Sequence, residues 1–251
     1  MKKYQVSLAL GTILILGLAG CHGNKQSNQH QNKEKAAMSA KMANDDSSAS
    51  ESSSTNSSLT HYKYKVPKSE KQNRDYVADG HLTNKHQFSY DRFGTKQQLA
   101  KKATPSSTFN SDKVTYRILN VRVLKNSAKT SAAKQAASQV LNLSSVPDTY
   151  YTFVINYEVT NQQQQTIALN GVSSVKTNQG QTLQTSNQLT DSSAGSQIPA
   201  GKSRQFVMNG YLYHYDKDPA SNLAINFGPI FDTKGTKIAS APSHALQVTL
   251  S

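Results

Sequence analysis

The single cysteine of this 251-residue chain is the side chain best suited to covalent chemistry, because a thiolate is a strong nucleophile. It stands at the end of the stretch Leu18-Ala19-Gly20-Cys21, where small residues precede it and allow the backbone to enter a protease cleft. The alternative is a free cysteine buried in a core, as free cysteines often are. The next 40 or so residues are strongly polar, so no segment that could form a core lies next to Cys21 in the sequence.

The segment before this cysteine has the layout of a secretory signal. Lys2 and Lys3 make the start positive, and residues 6–19 form an uncharged run of 14 residues rich in Leu, Ile and Ala. A membrane-spanning helix needs about 20 apolar residues, whereas the apolar part of a signal peptide has about 7–15. We therefore predict a signal peptide that ends close to Cys21.

Leu18-Ala19-Gly20-Cys21 resembles the lipobox of bacterial lipoproteins. The resemblance implies that the Cys21 sulfur receives a diacylglyceryl group. It also implies that a signal peptide over residues 1–20 is cleaved between Gly20 and Cys21, so that Cys21 becomes the mature N-terminus. Two acyl chains hold a protein stably on a membrane, whereas one chain does so only marginally. We expect a protein anchored by lipid to the extracellular face of the cell membrane, with the membrane as its first partner.

Other motifs that carry chemistry are incomplete. Gly201-Lys202-Ser203 resembles the end of a phosphate-binding loop, but five residues separate Gly195 from Gly201 where that motif has four. The segment that follows alternates like a strand, so we predict a turn before a strand here. Asp216-Lys217-Asp218 runs into a proline and lacks the glycine of a calcium loop, so we predict a solvated turn.

The seven histidines indicate no catalytic or metal site. Only His214 and His244 lie in the segment predicted to fold, and the chain has neither a His-Glu-x-x-His nor a Gly-x-Ser-x-Gly motif. We expect no metal, no cofactor and no enzyme activity. A buried pair of either histidine with a carboxylate would instead favour a hydrolase.

Tyr211, Tyr213 and Tyr215 form the most interesting candidate site. Alternation along one strand would place all three rings on one face. If that face is inward, the rings are core; if it is outward, they form an aromatic strip suited to stacking on sugars or proteins. Twelve tyrosines and no tryptophan favour the core interpretation.

Composition divides the chain into four parts. After the signal peptide, residues 21–60 are rich in Ser, Asn, Gln and Lys and nearly free of large apolar residues, which predicts a disordered tether. The composition of residues 61–110 predicts a partly ordered lead-in, that is, a segment before the folded domain, with a possible strand at 61–66. Residues 111–251 predict the folded domain, which must be held together by its core because no disulfide is possible.

The charge is strongly basic, with 28 Lys and Arg against 15 Asp and Glu. The excess is spread over both halves of the chain, and no dense basic tract with interleaved aromatics suggests nucleic acid. A basic protein outside a membrane would be attracted to anionic lipids and anionic cell-wall polymers. The competing interpretation is that the charge serves only solubility.

Short stretches of period-two alternation begin at residue 113. They predict strands over residues 113–124, 149–160, 166–170, 172–177, 182–185, 203–215, 223–227 and 245–250. The alternation changes phase at Ile118-Leu119, which predicts a β-bulge. Residues 130–143 carry an apolar stripe of helical spacing, formed by Ala133, Ala136, Ala137, Val140 and Leu141. The pattern predicts an all-β fold, an antiparallel sandwich with a short helical insert.

Two motifs support a family resemblance over about 113–250. Residues 151–161 (YTFVINYEVTN) form an aromatic-aliphatic strand that ends in Asn161, and Ile198-Pro199-Ala200-Gly201-Lys202-Ser203 forms a turn before the strand that begins Phe206-Val207-Met208. This stretch resembles the immunoglobulin-like domain of unknown function at the C-terminus of many Gram-positive lipoproteins. The resemblance implies a sandwich fold and a surface location, and the helical insert departs from it.

These observations favour a non-enzymatic binding or interaction module at the cell envelope of a Gram-positive bacterium. Its partner would be an anionic cell-wall polymer or an envelope protein. One alternative is a substrate-binding lipoprotein that works with a transporter, although such receptors usually have an α/β cleft. An envelope hydrolase is the third hypothesis.

Overall fold

The computed structural model describes residues 59–103 and 108–250. The predicted signal peptide, the cleavage site at Gly20 and Cys21, and nearly all of the predicted tether lie outside the described residues. Within these described residues there are two helices, α1 (Lys68–Lys71) and α2 (Ser131–Leu141). The strands, in chain order, are β1 (Phe88–Tyr90), β2 (Thr95–Ala103), β3 (Thr108–Ser111), β4 (Val114–Ala128), β5 (Thr149–Asn161), β6 (Ile167–Leu169), β7 (Val172–Thr177), β8 (Thr182–Leu183), β9 (Leu189–Asp191), β10 (Gln197–Ile198), β11 (Ser203–Leu212), β12 (Asn222–Phe227), β13 (Ile230–Phe231), β14 (Lys237–Ala239) and β15 (Leu246–Thr249).

The strands form three antiparallel sheets. The largest has seven strands in the order β1-β2-β4-β5-β11-β9, with β3 paired to β4 beside β2. Two four-stranded sheets, β10-β6-β13-β14 and β15-β12-β7-β8, lie against its inner face and share one hydrophobic core with it. The prediction of an all-β antiparallel sandwich with a helical insert is confirmed, since α2 lies between β4 and β5.

The two longest strands, β4 and β5, form the centre of the large sheet. They pair over nearly their whole lengths, and the register shifts between Ile118 and Asn120. The predicted bulge at Ile118-Leu119 is therefore confirmed. The extra residue, Leu119, lets Ile118 and Val121 both face inward although three positions separate them, and both are buried.

The core is formed by the inner faces of all three sheets. On β5 the alternation places Phe153, Ile155, Tyr157 and Val159 in the core with no exposed surface. The small sheets supply aliphatic residues from β6, β7, β12 and β15, which belong to the same buried cluster. Burial of this cluster stabilises the sandwich without any disulfide, as the single cysteine requires.

A partly buried carboxylate joins the large sheet to the β7 sheet. Asp191 accepts hydrogen bonds from the Tyr157 hydroxyl at 2.6 Å, the Val172 amide at 2.8 Å, and both the amide and the hydroxyl of Ser193 at 3.1 and 2.7 Å. Burial, assisted by the Asp191 charge, raises the pKa of Tyr157 far above its ordinary value, so the phenol remains a donor.

The two family-like motifs have structural roles. Asn161 is fully buried, donates to the carbonyls of Gln165 and Ile198, and accepts from the Gln163 amide, so it ties the end of β5 to the β5–β6 turn and to β10. Gly201 has a φ of 67°, and the Lys202 amide donates to the Pro199 carbonyl. The predicted turn before a strand is confirmed, since β11 begins at Ser203.

Residues 61–110 add strands to the large sheet. β2 pairs with β4 from Thr95 opposite Ala128 to Ala103 opposite Val121, and the expected boundary at residues 110/111 falls inside β3. The prediction of a possible strand at 61–66 is wrong, because the structure has no strand in these residues. Its alternation arises because the rings of Tyr62 and Tyr64 stack on Phe93 and Tyr90 while the intervening lysines are exposed.

The predicted helix over residues 130–143 is confirmed as α2. The Thr130 hydroxyl accepts a hydrogen bond from the Ala133 amide at 3.0 Å and donates to the Phe93 carbonyl at 3.1 Å, so it caps the helix and ties it to the β1–β2 turn. Ala133, Ala136 and Leu141 are buried, but Val140, expected on the same stripe, is 51% exposed. The helix ends at Asn142, which adopts a left-handed conformation.

Replacing Gly210 by alanine should destabilise the sandwich by about 3 kcal/mol, because the core around it has no room. Gly210 lies opposite Phe153 in the β5–β11 ladder, and a Cβ there would overlap the Phe153 ring and lie 2.9 Å from Leu183 Cδ2. Gly180→Ala is the control, since it meets open space and incurs only the left-handed strain of about 1 kcal/mol. Urea unfolding measures the free energy of unfolding of both variants. Equal decreases for Gly210→Ala and Gly180→Ala would contradict the close packing around Gly210.

Candidate binding groove and the outer face of the large sheet

The outer face of the large sheet, which points away from the core, changes from apolar to charged along β4 and β5. The cross-strand pairs run from Asn126 with Tyr150, through Leu124 with Thr152 and Arg122 with Val154, to Asn120 with Asn156 and Arg117 with Glu158. Directly opposite residues on one face of a sheet interact, so each pair creates a distinct local environment. Clusters of buried apolar side chains and several cavities lie along this face.

Helix α2 covers the first part of this face. Ala133 and Leu141 pack with Val146 and Tyr150 in one cluster, and Tyr211 packs against it. Between the helix and the sheet lies a cavity of about 160 Å³. Its floor is polar: Asn126 donates to the Thr152 hydroxyl at 3.0 Å and accepts from the Gln97 amide at 3.3 Å.

A larger groove opens at the end of the sheet, where β5 begins and β11 ends. It has a volume of about 340 Å³, and the three predicted tyrosines all line it. Two further tyrosines of β5, His214 and Asp216 line it too, so the set is Tyr150, Tyr151, Tyr211, Tyr213, Tyr215, His214 and Asp216. We call this the tyrosine groove.

The three predicted tyrosines lie together but do not share one face. β11 ends at Leu212, and His214 adopts a left-handed conformation with a φ of 51°, so the alternation stops after Tyr211. Tyr215 turns into the main core and packs on Tyr151 at 5.0 Å between ring centroids. Tyr211 packs beside α2, whereas Tyr213 is 59% exposed. The core and surface interpretations therefore apply to different members of the set.

The rings of the groove form a connected series. Tyr150 stacks on Tyr211 at 6.3 Å, Tyr211 contacts Tyr213 at 6.3 Å, and Tyr213 lies over the His214 ring at 3.8 Å, all measured between centroids. The Gln181 side chain accepts from the Tyr213 amide at 3.1 Å and donates to the Tyr211 carbonyl at 2.9 Å. Hydrogen bonds from the β7–β8 turn therefore fix the backbone that bears the exposed Tyr213 ring.

Burial raises the pKa of three phenols in the groove. It raises the pKa of Tyr150, with the Asp91 charge as the second cause, and it raises the pKa of Tyr211, with Tyr213 and Asp216 contributing. It also raises the pKa of Tyr215, whose hydroxyl is buried without a hydrogen-bond partner. Tyr213, which is 59% exposed, is the tyrosine of the groove whose ring face is most open to a ligand.

The other residues singled out in the sequence lie at the surface. Asp216, Lys217 and Asp218 form the predicted solvated turn, in which the Lys217 and Asp218 amides donate to the His214 carbonyl. His244 is exposed, with its ring edge-on to Phe109 at 4.7 Å and its Nδ1 3.2 Å from the Ser243 hydroxyl. Within the described residues, no three His, Cys, Asp or Glu side chains are grouped so that they could hold a metal ion.

The predicted anchor residues, Gly20 and Cys21, lie outside the described residues. Neither helix of residues 59–103 and 108–250 has the length and apolar character needed to cross a membrane.

Sequence reasoning missed half of the groove. Tyr150 and Tyr151 stood in the strongest predicted strand, but nothing in the sequence paired the start of that strand with the end of β11. Antiparallel pairing of Tyr151 with Leu212 brings them together. The sequence does offer one sign of this groove: two adjacent tyrosines stand at the start of one predicted strand, and three more stand near the end of another.

Comparison with known proteins does not assign this chain to a family. No family model matches it, and no curated protein matches it. One similar solved structure is the crystal structure of a functionally unknown protein from Listeria monocytogenes EGD-e, at 12% identity and a TM-score of 0.43, covering 62% of this chain and 88% of that one. Another is an X-ray structure of a Northeast Structural Genomics Consortium target, at 10% identity and a TM-score of 0.32, covering 55% and 87%.

Removing the Tyr215 hydroxyl with Tyr215→Phe should leave the free energy of unfolding unchanged or raise it by up to about 1 kcal/mol, because that hydroxyl is buried and unpartnered. Tyr157→Phe is the matched comparison and should cost about 2 kcal/mol, since it removes a hydrogen bond to the Asp191 carboxylate. Urea denaturation of both variants tests the pair. A larger loss for Tyr215→Phe would show that its hydroxyl is bonded.

Proposed function

We propose that this chain is a lipid-anchored protein on the extracellular face of a Gram-positive cell membrane, whose sandwich is a non-enzymatic binding module. The anchor rests on the basic start, the short apolar run and the Leu18-Ala19-Gly20-Cys21 stretch. The binding function rests on one structural observation: the exposed ring of Tyr213 at the surface of the tyrosine groove.

The ligand that the groove suits best is a cell-wall saccharide. A sugar ring has an apolar face that stacks on an aromatic ring and hydroxyls that pair with neutral donors and acceptors. The groove supplies the Tyr213 ring for the first, and the Asp216 carboxylate and tyrosine hydroxyls for the second.

The predicted tether would make binding by this groove effective even at modest affinity. A flexible segment between an anchored Cys21 and the sandwich would confine the groove to the space next to the membrane. Confinement raises the effective concentration of a module near its ligand, so modest affinity suffices. The positive charge of the chain would further favour an anionic surrounding.

Two other functions are less consistent with the fold. A transporter-linked receptor usually closes an α/β cleft, whereas the described residues form antiparallel sheets with one helix of more than a single turn. A hydrolase hypothesis required a buried pair of His214 or His244 with a carboxylate. Both histidines are exposed and contact aromatic rings, so that hypothesis gains no support.

Tyr213→Ala should reduce binding to purified cell walls at least fivefold, because it removes the stacking ring, while leaving the melting temperature unchanged. Co-sedimentation with cell walls measures it. Val207→Ala is the control, since Val207 is exposed on β11, the strand that leads to Tyr213, but lies outside the groove. Equal binding by wild type and Tyr213→Ala would refute the groove, and loss of binding after protease treatment of the walls would identify a protein ligand instead.

Cys21→Ser should release the protein from the membrane fraction or leave its signal unprocessed. The wild-type protein, expressed in a Gram-positive host, should begin at an acylated Cys21 by mass spectrometry, because acylation of the sulfur precedes cleavage in lipoproteins. If both forms appear in the medium without lipid, the anchor is wrong and the protein is a secreted factor.

A further inference from the structure

A small basic cavity lies on the outer face of the large sheet, beyond the cluster of Leu82, Leu99, Leu124 and Val154. It has a volume of about 210 Å³, several times the roughly 30 Å³ of a water molecule. Six residues line it: His81, Leu82, Lys102, Asn120, Arg122 and Asn156. None of them is acidic.

The register of the sheet places two cations side by side in this cavity. Lys102 of β2 lies directly opposite Arg122 of β4, so both side chains leave the same face of the sheet. Like charges directly opposite each other destabilise a sheet. Among the described residues, neither cation has a carboxylate within ion-pair distance.

Arg122 is also short of hydrogen-bond acceptors. Its Nε is buried and has no partner, although a buried donor without a partner costs about 1–3 kcal/mol. Desolvation lowers the pKa of the guanidinium from its ordinary value. Arg117, on the same strand and the same face, differs: its Nη2 donates to the Glu158 carboxylate at 2.8 Å. The chain thus neutralises one arginine of this face and leaves the more buried one unpaired.

The two asparagines of the cavity contribute a further donor. Asn156 donates its amide to the Asn120 side-chain oxygen at 2.9 Å, which leaves the Asn120 amide nitrogen available. His81 lies at the surface. Its backbone amide donates a hydrogen bond to the Asp79 carboxylate at 2.9 Å. A guanidinium, an ammonium and an amide that line one cavity with no carboxylate among them match the needs of an oxyanion.

From this arrangement we propose that the cavity around Arg122 binds a phosphate oxyanion, as found in a phosphodiester polymer or a lipid headgroup. A phosphate oxygen accepts from the buried Nε, and its charge offsets the repulsion between Arg122 and Lys102. The site is separate from the tyrosine groove and does not depend on the function proposed for it.

The test uses the full chain carrying Cys21→Ser, so that acylation contributes nothing to binding. Isothermal titration calorimetry at low salt measures inorganic phosphate, a glycerol-phosphate oligomer and a short-chain phosphatidylglycerol below its micelle concentration. We expect saturable binding that weakens with added salt. Arg122→Gln should weaken it at least tenfold, and exposed Lys102→Gln should weaken it several-fold.

Two controls separate a binding role from other causes. Arg117→Gln removes the paired arginine of the same strand and should change affinity less than twofold, and Tyr213→Ala should do the same because the groove is elsewhere. In the absence of ligand, Arg122→Gln should leave the melting temperature unchanged or raise it, because it removes an unpaired, repelled charge. Phosphate should then raise the melting temperature of wild type and not of Arg122→Gln.

The proposal is overturned if no phosphate compound binds saturably, or if Arg117→Gln and Arg122→Gln weaken binding equally, which would indicate general attraction to a basic surface. A large drop in melting temperature for ligand-free Arg122→Gln would also overturn it, since the arginine would then have a structural partner. Tighter binding of the oligomer assigns the site to a polymer, and tighter binding of phosphatidylglycerol assigns it to a headgroup. Either result sustains the oxyanion site.

Discussion

The pairing of β4 with β5 is the constraint on which the rest of this structure depends. These two strands are the longest, and they pair from Val114 opposite Asn161 to Ser127 opposite Thr149. Because side chains alternate strictly along a strand, a one-residue slip would exchange the two faces of the sheet. The bulge at Leu119 keeps Ile118 and Val121 on the core side, and the same register fixes which polar residues meet on the outer face.

The two faces of the large sheet have different tasks. The inner face is fully committed to the core shared with the two small sheets. The outer face is covered only in part, by α2 and by the Leu82 cluster, and its uncovered ends carry the tyrosine groove and the basic cavity. The unpaired charge and the exposed aromatic ring thus lie on the face of the sheet that does not form the shared core.

Much of the fold followed from local pattern. The long strands, the helix and its stripe, the bulge and the turn at Gly201 were all visible as period, phase change or turn chemistry. The short strands β9, β10, β13 and β14 were not, since two or three residues are too few to show a period, and they form only because the large sheet presents partners. Likewise β1 and β2 lacked clear alternation, since β2 is bulged between Leu99 and Lys101 and its outer face is polar.

By itself, the sequence determined the all-β sandwich, its helical insert and the hypothesis of an anchor at Cys21, because each depends on neighbouring residues. The tertiary structure decided the fate of the tyrosines, because the left-handed turn at His214 divides Tyr211, Tyr213 and Tyr215 between a helix-covered face, solvent and the core. It also decided that Lys102 meets Arg122 and that Glu158 meets Arg117. Such pairs join residues about 20 and 40 positions apart, and only the register of the sheet brings them together.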